Sequence, residues 1–141
     1  MRSVVLAFGT VLLLASVSAR AEEPTELGEM PHVYITILQG KLKPEVQKLT
    51  PNDAVGWLNY TDKIARISFD KEVAKRMVCK KEGSFKLTGD RLESTNIQAQ
   101  QFATLCVLSK GEYSYKVDLF SGAGGSSSNV PTTREGKLIV E

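Results

Sequence analysis

The chain has one histidine, two cysteines and one tryptophan in 141 residues. Each scarcity removes a class of chemistry. The one imidazole, His32, stands at the start of a β-branched stretch, where a lone histidine is usually a half-exposed surface residue. It also lies far upstream of any Gly-x-Ser-x-Gly elbow, and no such elbow occurs, so a nucleophilic hydrolase is not expected. Ser94 and Asp90 have no evident catalytic partner. The two cysteines, Cys79 and Cys106, do not form a Cys-x-x-Cys motif that would lower a thiol pKa, which argues against a redox enzyme. Gly122-Ala123-Gly124-Gly125 runs into Ser and Asn with no helical pattern, so it is not a phosphate-binding loop. We expect no enzyme activity.

Charge of one sign is lacking as well. The chain carries 18 Lys+Arg against 16 Asp+Glu, and two of the basic residues, Arg2 and Arg20, lie in the first 21 residues, where no acid occurs. Without that segment the two signs balance at 16 each. A neutral chain is a poor partner for nucleic acid, whose phosphates call for a surplus of Lys and Arg. Long apolar runs are confined to one place, Val4 to Leu14, broken only by Gly9 and Thr10. Spanning a bilayer takes roughly 20 apolar residues. With Arg2 before it and Ala19-Arg20-Ala21 after it, the run reads as a secretory signal peptide, with Val17-Ser18-Ala19 as a second cleavage point. The expected organisation is a signal peptide over 1–21, an acidic arm over 22–31 and one domain over 32–141. The expected location is periplasmic or secreted, with no membrane span after cleavage.

What is present reads as mostly β. His32 to Leu38 is β-branched and aromatic. Pro51-Asn52-Asp53 marks a turn, and Ala54 to Asn59 gives a second strand. In a third, Ala65, Ile67 and Phe69 alternate with Ile64, Arg66 and Ser68. Phe102 to Leu108 is a fourth, with Phe102, Thr104 and Cys106 on one face and Ala103, Leu105 and Val107 on the other; which face is inward stays open. Tyr113, Tyr115 and Val117 alternate in a fifth, packing inward, and Gly136 to Val140 closes the chain as a sixth. Ser84 to Thr88 and Ile97 add minor strands. Asp70 is placed to cap one short helix whose shared face would be Val73, Ala74, Met77 and Val78. Gly122 to Asn129 reads as a loop. Short strands between turns suggest a β-sandwich. Trp57 is expected in its core. Lys71, Lys75, Arg76, Lys80 and Lys81, balanced by Asp70, Glu72 and Glu82, read as a solvated face, and Asn59-Tyr60-Thr61 matches a glycosylation sequon.

Three stretches carry a more specific resemblance. Leu42 through Asn59, ending in Trp57-Leu58-Asn59, Gly111-Glu112-Tyr113-Ser114-Tyr115, and Gly136-Lys137-Leu138-Ile139-Val140 resemble, in order and spacing, segments of plastocyanins and related cupredoxins. The resemblance implies an all-β, Greek-key cupredoxin-like sandwich. It also implies a copper held by two His, one Cys and an axial Met. The positions matching the first His and the Cys are Ala65 and Val117, and Val117 through Thr133 contains neither His nor Met. A type 1 copper centre is therefore not expected.

Two readings of the remaining sulfur residues stay open at this point. An even cysteine count in an oxidising compartment makes a Cys79–Cys106 disulfide the default. Alternatively, Met77 and Cys79, two apart on one strand face, join Cys106, with or without His32, in a non-blue copper site, since thiolate and thioether favour Cu(I). The corresponding functions are copper handling by an exported cupredoxin-like protein, for storage, transfer or electron transfer, and a metal-free module that binds an envelope protein.

Overall fold

The computed structural model describes residues 31–79, 83–121 and 130–141. The expected signal peptide and acidic arm up to Met30, Lys80 to Glu82 and the expected loop from Gly122 to Asn129 lie outside them. Ten strands and one helix follow in order: β1 Val33–Ile37, β2 Leu42–Lys43, β3 Val46–Leu49, β4 Val55–Asn59, β5 Ile64–Asp70, a 3₁₀ helix Lys71–Arg76, β6 Phe85–Thr88, β7 Arg91–Ser94, β8 Phe102–Leu105, β9 Gly111–Phe120 and β10 Thr132–Val140. They form two mixed sheets, one ordered β2-β1-β4-β8 and the other β3-β10-β9-β5-β7-β6. β1 runs parallel to β4 and β10 parallel to β3; the other pairs are antiparallel.

Alternation decides the core. Ile35, Ile37, Val55, Trp57, Ala103 and Leu105 point inward from the four-stranded sheet. Ala65, Ile67, Phe69, Tyr113, Tyr115, Val117, Leu119, Leu138 and Val140 meet them from the other. Trp57 is the wedge. Its ring lies 5.3 Å from Tyr115, 5.7 Å from Phe85 and 5.9 Å from Phe69, in edge-on and tilted contacts that suit aromatic quadrupoles. Gly136 pairs with Tyr115 across β9 and β10, and a Cβ there would overlap the Tyr115 ring. Glycine is required at that place by the phenol that lies across it.

Several elements differ from the sequence expectation. The fourth strand stops at Leu105, not Leu108, because residues 106–108 leave β4 and pair with 77–79 instead. Leu105 and Cys106 are consecutive and both buried, so the inward alternation slips by one residue there. Ala103 and Leu105 are the inward set, and Phe102 is outward. The capped helix forms where expected, with the Asp70 carboxylate accepting from the Glu72 N–H at 2.9 Å. Its turns are 3₁₀, however, and the chain becomes extended at Met77. Val73, Ala74 and Met77 pack on the core, whereas Val78 is 66% exposed, because strand-like alternation has replaced helical periodicity by that point. β2, β3 and β7 were not anticipated as strands; the first two are short edge pieces around Pro44.

Tyr115 OH and Trp57 Nε1 are buried without a hydrogen-bond partner. Burial pushes the Tyr115 phenol up to about 12; the nearby indole N–H lessens the effect without reaching hydrogen-bond geometry. An unfolded chain ionises this tyrosine near 10, so between pH 10 and 12 the unfolded state releases its proton first and stability falls as pH rises. Urea unfolding across that window is expected to show a loss of about 2 kcal/mol by pH 12, nearly absent below pH 10 and flattened in Tyr115→Phe.

Candidate functional site

The end of β4 carries the best-organised polar cluster. Val55, Trp57 and Asn59 share the inward face, so Asn59 places an amide where the core would otherwise be hydrocarbon. Every valence of that amide is used. Nδ2 donates to the carbonyls of Lys63 at 2.7 Å and Ile97 at 2.9 Å. Oδ1 accepts from the Thr61 N–H at 2.9 Å and from the Thr61 hydroxyl at 2.7 Å. The amide thereby folds residues 60–63 over the end of the sandwich and delivers the chain into β5. The sequon reading is corrected here: Asn59 is fully buried and both amide hydrogens are donated, so the folded chain has no accessible acceptor for a glycan. A polar residue of inward parity, two places after a core tryptophan, was the signal available in the sequence for this clamp.

Beyond the clamp lie the two positions where the resemblance puts copper ligands. Ala65 bridges to Ile97 and pairs with Leu119; Val117 pairs with Ile67. All five side chains are buried and aliphatic. Blue copper needs imidazole nitrogen and thiolate sulfur in a preformed set, and saturated carbon offers neither. The residues do not fit that ion.

The sulfur residues are elsewhere. Met77 bridges antiparallel to Leu108, the Val78 N–H donates to the Val107 carbonyl at 2.9 Å, and the Ser109 N–H donates to the Arg76 carbonyl at 2.9 Å. One step further along the same register, Cys79 and Cys106 form a disulfide across a Cα–Cα distance of 6.0 Å. Met77, Cys79, Leu108 and Cys106 thus share one face of this short ladder, and Val78 and Val107 take the other. His32 is not brought to it. That imidazole stands half exposed at the start of β1, with Nδ1 at 4.0 Å from Asp53 Oδ1 and accepting weakly from the Ala54 N–H at 3.4 Å. β4 separates its strand from the β8 end that leads to Cys106. The Thr50 N–H and hydroxyl, at 2.7 and 2.9 Å, together with that imidazole hold the Asp53 carboxyl below its ordinary range. Among the described residues, no group of three or more His, Cys, Asp or Glu side chains is arranged to hold a metal ion.

Two surfaces remain. A groove of about 640 Å³ crosses the outer face of the six-stranded sheet, lined among others by Asp70, Asp90, Arg91, Lys116, Glu135 and Lys137. Its charges are paired locally, Lys116 with Glu135 and Lys137 with Glu112 at 3.7 and 3.3 Å, and Lys71 reaches Asp90 at 3.0 Å. With Glu45 its lining carries four acidic and three basic side chains, too even a mixture for a strong field of either sign. Of the expected solvated face, Lys71 reaches the groove through Asp90, whereas Lys75 and Arg76 line a separate hollow with Glu72, Val73, Glu112 and Tyr113, and Asp70 caps the helix. The outer face of the four-stranded sheet is different. Tyr34, Thr36, Leu58, Phe102 and Thr104 project from it, Tyr34 is 47% and Phe102 56% exposed, and Lys43 at the edge is the only charge on these strands' outer rows. Pro31 lies on Gly56 beside the Tyr34 ring, where a Cβ on Gly56 would come within 2.9 Å of it.

Two mixed sheets in Greek-key order around a strand-borne Trp-x-Asn define a cupredoxin-like sandwich. No protein-family profile matches the chain, and no curated protein matches it. Solved structures of amicyanin do. A methionine-to-alanine variant in its Cu(I) form and a proline-to-glycine variant in its reduced Cu(I) form at pH 4 are each 17% identical, covering 77% of this chain and 81% of that one at a TM-score of 0.52. A reduced tryptophan-to-tyrosine variant is 17% identical over 82% of this chain and 87% of that one, also at 0.52. At such identity the likeness establishes the fold. No helix among the described residues is long and apolar enough to cross a membrane.

Asn59→Ala removes four buried hydrogen bonds and leaves the Thr61 N–H without its acceptor, while the Ile97 and Lys63 carbonyls keep only the Ala65 N–H and the Thr61 hydroxyl, so chemical denaturation is expected to show a loss of about 3 kcal/mol. Reduction of the disulfide, which closes a 27-residue separation, is expected to lower stability by about 3–4 kcal/mol in the chain-entropy account. Comparison of denaturation midpoints with and without a phosphine reductant measures it.

Proposed function

We propose that this chain is an exported, disulfide-stabilised cupredoxin-like module that engages an envelope protein through the outer face of its four-stranded sheet, and that its oxidised form does not carry electrons on copper. One observation carries the reading. The positions that would bear copper ligands are filled with aliphatic core, while an aromatic sheet face with one charge, Lys43 at its edge, is left exposed. Tyrosine and phenylalanine are enriched at the dry centre of protein interfaces, and charge is depleted there. The leader and the disulfide support an oxidising compartment. Copper handling through the oxidised protein is disfavoured because both thiols are already bonded to each other.

The test is cross-linking in the native compartment, followed by mass spectrometry. Wild type and Lys116→Ser, on the other sheet, are expected to give the same partner adduct, and Tyr34→Ser/Phe102→Ser to lose it with an unchanged melting temperature. An adduct that survives the double substitution overturns the reading, as does stoichiometric copper in the oxidised protein. The intact mass of the exported chain is expected to correspond to a start at Glu22.

A further inference from the structure

The disulfide ladder holds more sulfur than a structural crosslink needs. Met77 is the same-face neighbour of Cys79 along its strand and the diagonal neighbour of Cys106 across the pair. Diagonal positions on one face of an antiparallel pair lie within reach of long side chains. Met has three rotatable bonds and a polarizable sulfur, which lets it re-aim without moving backbone. Cys106 is 7% exposed, Leu108 buried, and Cys79 and Met77 half-buried with Met77 packed against the core, so the group sits at the margin of the core.

We infer that Met77, Cys79 and Cys106 form a Cu(I) site that opens when the disulfide is reduced. The chemistry is balanced as follows. An external dithiol delivers two electrons and two protons to the cystine; its S–S bond breaks, two thiols form, and the dithiol leaves as its own disulfide. Cu(I) then binds both sulfurs as thiolates, two protons go to solvent, and the Met77 thioether adds a third, neutral donor. The copper keeps its oxidation state throughout. Two thiolates and a thioether are soft ligands suited to Cu(I), and a set with no imidazole gives no blue centre. The oxidised protein has no thiolate to offer here, so metal binding is gated by the redox state of its surroundings. His32, paired with Asp53 two strands away, is not part of the site. The inference concerns the reduced protein and stands apart from the sheet-face reading, which concerns the oxidised one.

The experiment is anaerobic titration of the full domain with Cu(I) against a chromophoric Cu(I) chelator, before and after reduction by a phosphine that is then removed. Reduced wild type is expected to take one Cu(I) per chain and oxidised wild type none. Cys79→Ser/Cys106→Ser should abolish uptake, and Met77→Leu should weaken it about tenfold, the scale of losing one of three soft donors. Copper X-ray absorption should count three sulfur neighbours in the wild type. The idea is overturned if the reduced protein takes no Cu(I). It is equally overturned if Met77→Leu binds as tightly as wild type, the behaviour of an unfolded dithiol, or if the copper has only two sulfur neighbours.

Discussion

Trp57 determines how the two sheets of this protein meet. One indole from β4 is seated among Phe69, Phe85 and Tyr115 of the facing sheet, and every one of those rings is buried. The six-stranded sheet is shaped to receive it. Tyr115 can lie against the indole only because Gly136 on β10 leaves room for the phenol. That close fit leaves Trp57 Nε1 and Tyr115 OH without partners, a cost accepted where aromatic area is large. Register in β4, β9 and β10 is tied to this one contact, because a slip of one residue would turn each ring to solvent.

Two residues after Trp57 the same strand presents Asn59, and the two act as a unit. The indole fixes the face, and the amide then meets the carbonyls of Lys63 and Ile97 at a place where a polar group could not otherwise be buried. This clamp leads the chain into β5 at Ala65. In a copper-holding sandwich the neighbouring positions would need to hold polar ligands away from the core. Here Ala65, Ile67, Val117 and Leu119 continue the core up to the clamp. Those positions are packed hydrocarbon with no donor atoms, so the fold by itself does not bring a copper site with it.

Much of this was legible in the sequence, and the reasons differ by element. β5 and β9 are long and alternate cleanly, so Ala65, Ile67, Phe69, Tyr113, Tyr115 and Val117 declared their inward face. Trp57 and the capping Asp70 were equally plain. β2, β3 and β7 were not, since strands of two to four residues at or near sheet margins carry too little alternation to separate from loop. The end of β8 was misread because the slip at Leu105–Cys106 is imposed by pairing with residues 77–79, a long-range contact that no local pattern encodes. Val78 was assigned to a helix face for the same reason. Of the sulfur residues, the shared face of Met77 and Cys79 followed from spacing alone, whereas the separation of His32 from them required the strand order.

The strand register also places the sulfur ladder relative to Ala65 and Val117. Leu105, just before Cys106, pairs with Val55 at the start of β4, while Asn59 at its other end donates its N–H to Gln101, just before β8 begins. The disulfide and the Asn59 clamp therefore lie at opposite ends of β4. Ala65 enters β5 beside the clamp, and the same strand runs on to Asp70, the 3₁₀ helix and Met77. The sulfur group is consequently separate from the surroundings of Ala65 and Val117. It is an independent feature, built where an irregular helix must be fastened to the end of β8, and a crosslink serves that purpose without any methionine. A leucine at residue 77 would pack on Leu108 and the core equally well. The presence of a thioether on the disulfide's own face is what a purely structural account of Cys79 and Cys106 leaves unexplained.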